Sequence, residues 1–434
     1  MRDMLVLAAM LVFVPLGISN AFLRYLLWGW AGLIALNSYV YGAMSAVPFV
    51  QLFALVTMGA LLLRSGGRLE RFEFNRTTVL LVLFVLHGLF VALLAYPGLG
   101  RNWELFGNIT KTALFCLLMP LFATSRYRIH ALVVMVALAT SFHGALDGLK
   151  FIASAGGHNA RGIAKFGDNN HFAMVLLMVL PLLYYLYLHS ARRLTKLTFG
   201  LVLPLIAFAV VATHSRGALI GLFVIVFWIL FKSRNRVFGL VLVAISTVVI
   251  LQLAPDSWTK RMDTISTATQ DDSLLGRVEA WKVSSAIAVA HPFVGGGFRA
   301  LQSTPVWEKF KNDPGLMGFL DLPVYGVTGL AAHSIWFEVM GDMGFVGFLL
   351  FCALIFNAFV TRWEILAMIK RQGTGQRWAL DLADMLGACM LAFVVTGSLL
   401  SAAYFELPYI LMMLMEVLKQ CVKAQQEPPA KHPG

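Results

Sequence analysis

Ala332-His333-Ser334-Ile335-Trp336-Phe337-Glu338-Val339-Met340-Gly341-Asp342-Met343-Gly344-Phe345-Val346-Gly347 opens an apolar run that continues to about residue 361 without a lysine or arginine. A run of this length is a membrane-crossing helix, and it follows the mostly polar residues 254–332. His333 therefore stands where a long aqueous loop gives way to membrane. Gly341, Gly344 and Gly347 form a small-residue stripe that suits tight packing against other helices. Glu338 and Asp342, four apart in an apolar span, either pair internally or tune a site.

The rest of the chain repeats the pattern. It is 59% hydrophobic and 13% charged over 434 residues, against about a quarter charged for a soluble protein. Candidate spans lie at roughly 4–18, 21–37, 48–64, 77–95, 105–123, 129–149, 170–189, 196–213, 216–231, 236–253, 334–361, 383–400 and 407–422. The fold class is an all-α polytopic membrane protein of about twelve transmembrane helices. The two-residue alternation of a membrane barrel is absent from the sequence. The first two spans are short, two thin crossings or a hairpin kinked at Ser19-Asn20, so the side of the N-terminus is left open. Met1–Ala21 also has the outline of a secretory signal, but Arg2 is balanced by Asp3, and the segment is read as a span.

The net charge of +12 is mainly a topology signal. Arg64, Arg68, Arg71, Arg76, Arg126, Arg128, Arg192, Arg193, Lys196, Lys232, Arg234, Arg236, Arg362, Lys370, Arg371, Arg377, Lys419, Lys423 and Lys431 fall in alternate short segments. The intervening ones hold only Arg101, Lys150, Arg161, Lys165 and Arg216. The positive-inside bias makes the first set cytoplasmic, and no nucleic-acid partner is implied. Residues 254–332 and 150–170 and the turn His214-Ser215-Arg216 then face outward. The long loop carries seven Lys or Arg and eight Asp or Glu, so it is nearly neutral. With Pro305, Trp307, Phe310, Pro314 and Phe319 it reads as a folded cap. The expected divisions are an N-terminal bundle at 1–253, the loop at 254–332, C-terminal helices at 333–422 and a cytoplasmic tail at 423–434.

The four cysteines, Cys116, Cys352, Cys389 and Cys421, offer no pair in an outer loop. The sequence contains no zinc-protease HExxH, no CxxC and no phosphate-cradling glycine loop followed by Lys-Ser or Lys-Thr, which argues against a nucleotide-driven pump.

Five places carry groups suited to chemistry. Arg216, confined to the membrane edge by a very short turn, either snorkels to lipid phosphate or grips a ligand phosphate, and Gly217-Ala218 permits close approach. Arg277 opens an amphipathic helix in the loop with Trp281 one turn later, a cation and an aromatic on one face; the alternative is a solvated helix with Arg277 or Lys282 paired to Glu279. His291-Pro292-Phe293-Val294-Gly295-Gly296-Gly297-Phe298 is either a turn that aims N–H groups at an anion or a plain loop terminator, and His291 reads as structural. His333 is either a helix-start residue or a base. Arg161-Gly162-Ile163-Ala164-Lys165-Phe166-Gly167-Asp168-Asn169-Asn170-His171 is dense in hydrogen-bonding groups; Asn170 is a plausible helix cap, and Arg161, Asn170 and His171 are candidate substrate contacts.

The order of an outer Ser-Arg-Gly turn, then Gly-Arg…Trp…His-Pro-Phe-Val-Gly-Gly-Gly-Phe, then His-Ser…Glu…Gly-Asp-Met-Gly-Phe-Val-Gly resembles the O-antigen ligase and polymerase superfamily over about 210–350. Residues 1–190 look most similar to a subgroup of O-glycosylation ligases. The resemblance implies a glycosyltransferase of the GT-C-like kind in the inner membrane with its active site facing the periplasm. Its donor would be a glycan on undecaprenyl diphosphate, its acceptor a hydroxyl of lipid A-core, and its surroundings membrane lipids. Carried onto this chain, Arg216 and Arg277 hold the diphosphate, with Trp281, Arg161, Asn170 and His171 as further substrate contacts, and His333 is the general base. No cofactor or metal is expected, because the loop shows no clustered Asp-x-Asp. A polymerase or a protein O-oligosaccharyltransferase would use the same donor. Two other classes stand beside these: a lipid-linked sugar flippase, for which His87 is the main mid-span candidate, and a non-enzymatic envelope scaffold.

Overall fold

A computed structural model describes residues 16–17, 19–65, 74–232, 272–320, 326–372 and 376–425. Apart from residues 16 and 17, the spans expected at 4–18 and 236–253 lie outside these residues, as do the first part of the loop and the end of the tail. The described chain folds as helices α1 (Ala21–Ile34), α2 (Phe49–Ser65), α3 (Arg76–Leu94), α4 (Asn102–Phe122), α5 (Arg126–Ala153), α6 (Asn169–His189), α7 (Arg193–Ala212) and α8 (Arg216–Lys232). After the loop helices α9 (Asp272–Ala290) and α10 (Thr304–Phe310) come α11 (Ile335–Gln372), α12 (Arg377–Gly397) and α13 (Glu406–Ala424). No strand occurs among the described residues. This is what apolar segments in lipid require, since a helix satisfies its own backbone groups.

Seven of the described helices, α3 to α7, α11 and α12, are long and apolar enough to cross a membrane, and α1, α2 and most of α8 are shorter apolar helices. Their starts follow local chemistry. Asn20 accepts from the N–H groups of Phe22 and Leu23 and starts α1; Asn75 caps α3 through Thr78 N and Ser125 caps α5 through Arg128 N. Helices α6 and α12 are the most enclosed, while α4 and α7 leave most of their surface outward. Close packing depends on small residues: a Cβ at Gly148 of α5 would run into the Leu205 carbonyl of α7.

The two ends of the bundle differ. One end gathers Arg76 and Lys419 on Glu364, Glu416 with Lys419 and Thr77, and His189 on Asp381. The expected span 334–361 extends further, to Gln372, so Arg362 is not a loop cation. It is buried within α11, paired with Asp384 of α12 and lying over the Trp228 ring at 5.0 Å. Burial of that charge is tolerable because a carboxylate and a ring face meet it.

At 38 residues α11 would be about 57 Å long if straight, well beyond the apolar thickness of a bilayer. It breaks at Gly344, whose φ of 66° and ψ of −169° leave the helical region. The glycine-rich segment after α9 enters this break. Gly296 N donates to Gly341 O and Gly297 N to Asp342 O, while Phe345 N donates to Pro292 O. His87 of α3 makes a 3.0 Å hydrogen bond to Met343 O. The glycines therefore admit one backbone against another; two of their three N–H groups go to α11 and that of Gly295 goes to His291 O, so the anion-cradle reading is corrected. A Cβ on Gly295, at φ +62°, would lie 2.6 Å from atoms of Gly341, Asp342 and Gly344. His87 is likewise accounted for by the break rather than by a path through the membrane.

The described part of the loop carries its own small core of Val283, Ile287, Leu301, Val306, Trp307 and Phe310. Trp307 Nε1 donates to Gly326 O at 2.7 Å, which folds the segment before α11 back onto α10.

Candidate functional site

His333 is the first residue of interest at the end opposite the basic network. It has a left-handed backbone, φ +45°, uncommon for a residue with a Cβ. The conformation is held from three sides. His333 N donates to Ser401 Oγ at 2.8 Å, Trp281 Nε1 donates to Ala332 O at 2.7 Å, and Trp336 Nε1 donates to Ser398 Oγ at 2.8 Å. The ring itself makes no hydrogen bond to the described protein, and its Nδ1 is buried without a partner. A helix-capping role for the imidazole is therefore excluded. By contrast the rings of His143, His158, His189 and His291 are bonded to Tyr39, Asp147, Asp381 and Tyr96.

Burial first, and then the guanidinium of Arg277, hold the His333 imidazole below its ordinary value; the Asp168 carboxylate acts in the opposite sense. These two neighbours come from distant parts of the chain, Arg277 from α9 and Asp168 from the residue before α6. Asp168, not Asn170, is the cap of α6: its Oδ1 accepts from His171 N at 2.8 Å. Asn170 is only partly exposed in the first turn of the helix. Its neighbour Asn169 donates through Nδ2 to Thr213 O at 2.7 Å, and Ala160 N donates to Ala212 O. The segment before α6 is thus tied to the turn that presents Arg216 at the start of α8. A Cβ at Gly217 would meet the Leu399 side chain at 3.6 Å.

The sequence candidates divide accordingly. His333 and Arg277 share one electrostatic neighbourhood with Asp168, and Arg216 begins the adjoining helix. Arg161 is exposed beside the Ala160–Ala212 contact. Trp281 is not a free platform: its ring stacks on Phe337, centroids 5.2 Å apart and planes 8° from parallel, and its indole N–H is used by Ala332. It fixes α9 against the start of α11. His171 points elsewhere, edge-on to Phe405 at 4.7 Å, with Nε2 buried and unpartnered. His291 is structural as expected; burial and then Lys309 hold it below its ordinary value.

His171 lines a cavity of about 360 Å³ between α1, α4, α11 and α13. Its polar lining includes Lys165 of the 161–171 stretch and Glu338, together with Arg101, Lys111, Arg299 and Glu406, which sequence reading did not place in a site. Two signals were available: Lys111 is a cation inside an apolar run, and Arg299 follows the glycine-rich turn with φ +62° in the structure. Glu338 accepts from Ala403 N at 2.9 Å, and Asp342 accepts from the Tyr404 hydroxyl at 3.1 Å. The two acids therefore anchor the turn between α12 and α13 rather than each other.

A fold of apolar crossing helices with polar groups gathered at one end defines an all-α polytopic membrane protein. Within that class, residues 199–352 match the family described as O-Antigen ligase, which supports the O-antigen ligase superfamily. Residues 1–191 match a family of unknown function. No curated protein matches the chain. The activity that follows is that of a ligase- or polymerase-type glycosyltransferase, with lipid-linked glycan and membrane lipids as its general partners. Arg216, Arg277, Trp281 and His333 fall within the ligase match, whereas Asp168, Arg161, Asn170 and His171 fall within the other. The His333 cluster is assembled from both.

Proposed function

We propose that the protein is an O-antigen ligase of the inner membrane that joins a glycan from undecaprenyl diphosphate to a hydroxyl of lipid A-core on the periplasmic side. The observation that carries the reading is His333, a ring without a hydrogen bond among the described residues, kept neutral by burial and Arg277 at the membrane boundary. A neutral imidazole with a free ring nitrogen accepts a proton; a protonated one does not.

The reaction balances with this chain's residues. The acceptor O–H gives its proton to His333 as its oxygen forms the new bond to the anomeric carbon. The bond from that carbon to the diphosphate oxygen breaks, and the electron pair leaves with undecaprenyl diphosphate. Arg216 and Arg277 stabilise the departing charge, Arg through forked donors that match phosphate oxygens. A single displacement of this kind inverts the anomeric centre and calls for no metal. Trp281 acts as a positioning residue through Ala332 and Phe337. The bundle 1–253, the loop 254–332, the helices 333–422 and the tail 423–434 divide this work, with the loop bringing Arg277 over the membrane-bound groups.

The test is ligation by the purified full chain in detergent, supplied only with lipid-linked O-polysaccharide and lipid A-core. Capped lipid A-core is the expected product. Elongation of the donor polymer without capping would favour a polymerase, glycan on an added peptide would favour a protein ligase, and no chemistry with lipid movement in vesicles would favour a flippase.

A further inference from the structure

The cavity beside His171 is separate from the His333 cluster, since none of His333, Arg277, Arg216 and Asp168 lines it. Ser401 forms the partition: it lines the cavity and its Oγ accepts from His333 N. On the membrane side the walls are apolar, with Trp28 and Leu33 of α1, Val50 of α2, Phe115 of α4 and Ile410 of α13.

Of its four cations, two are neutralised locally. Lys165 is paired with Glu406, and Arg101 holds Glu104 through two bonds of 2.7 and 2.9 Å. The other two make no close pair among the described residues, although Glu104 is an electrostatic neighbour of both and Glu338 and Asp342 are electrostatic neighbours of Arg299. Lys111 makes no ion pair among the described residues, and it lies about 14 Å along α4 from Asn102, within the apolar span. Arg299 makes no ion pair among the described residues either; its Nη1 reaches Gln302 Oε1 at 3.3 Å and its Nε is buried without a partner. Glu338, the remaining carboxylate of the lining, is engaged by Ala403 N. An ammonium within a membrane span and a guanidinium left short of acceptors both call for an anion from outside the chain.

We propose that this cavity is a second lipid site, which takes the phosphate-bearing head of the glycolipid acceptor on Lys111 and Arg299 while its chains lie against the apolar wall. The word acceptor rests on the function proposed above; the anion site rests on the cavity alone. Donor and acceptor heads are then held on either side of the Ser401 partition. A hydroxyl of the acceptor has only to pass that partition to reach His333.

Native mass spectrometry of the full chain in detergent tests this with lipid A and undecaprenyl diphosphate as probes. The expected result is simultaneous binding of one of each. Lys111→Gln and Lys111→Gln with Arg299→Gln should weaken lipid A by about tenfold or more and leave undecaprenyl diphosphate unchanged. Lys111→Gln stands alone should the left-handed Arg299 position not tolerate change. Displacement of lipid A by undecaprenyl diphosphate, or lipid A binding indifferent to both variants, would overturn the second site. Phosphatidylglycerol and inorganic phosphate should each bind at least about tenfold more weakly than lipid A; equal binding of either overturns the assignment to an acceptor. Arg277→Gln is read separately. If it leaves undecaprenyl diphosphate binding intact, the donor assignment fails while the cavity result stands.

Discussion

Replacing His333 by alanine removes the proposed base and little else. The ring makes no hydrogen bond among the described residues, and the three bonds that pin this segment use the His333 backbone N–H, the Ala332 carbonyl and the Trp336 indole, all kept in the variant. Folding stability should therefore change by about 1 kcal/mol or less. Turnover should fall by roughly 10²- to 10⁴-fold, the usual worth of a positioned base, or about 3 to 5 kcal/mol in the barrier. The assay is single-turnover capping of lipid A-core by purified protein across pH, with detergent-solubilised thermal stability measured alongside. In the wild type, activity should fall as pH drops, and the midpoint should lie below the ordinary imidazole value of 6.5, because burial and Arg277 disfavour the charged ring. The neighbours set the sign of each shift. Asp168→Asn removes the carboxylate that favours protonation and should move the midpoint lower; Arg277→Gln should move the midpoint of its residual activity higher. A normal rate in His333→Ala would refute the assignment. So would an acid limb that ignores both neighbours.

Arg216→Lys should be nearly as damaging as Arg216→Ala, by a few kcal/mol in the barrier, because an ammonium keeps the charge but not the fork; near-normal turnover of the lysine variant in the same capping assay would mean simple lipid anchoring. Gly295→Ala forces a Cβ at φ +62° to within 2.6 Å of the α11 backbone and should cost about 1–3 kcal/mol, read as a lower unfolding temperature in detergent; an unchanged transition would mean the loop does not clamp the break at Gly344. Phe319, 81% exposed on the loop, should when changed to cysteine label with an impermeant thiol reagent in intact spheroplasts, while Arg371→Cys at the exposed end of α11 should not; the opposite pattern inverts the orientation of the active site.

The helical architecture was legible in the amino-acid order because in lipid the length and apolarity of a run nearly determine its structure. The run at 77–95 became Arg76–Leu94 and that at 170–189 became Asn169–His189. His333 stood out for a related reason, since titratable groups are rare where apolar runs begin, whereas Arg277 stood out in the loop through Trp281 one turn later. Sequence could not say which of them meet. Asp168 reaches the His333 neighbourhood only because α6 starts beside the Thr213 turn, and Trp281 is removed from ligand contact only because α11 places Phe337 under its ring. The glycines after His291 read equally well as an anion cradle. Their partner proved to be the break at Gly344, a helix that no local pattern links to them. Lys111 and Arg299 lie far apart in the chain and share a cavity through the packing of α4 against the loop that follows α9. Local order determines which segments leave water and which groups are costly there; the pairing of those groups is a property of how the helices pack, and that depends on side chains contributed from opposite ends of the chain.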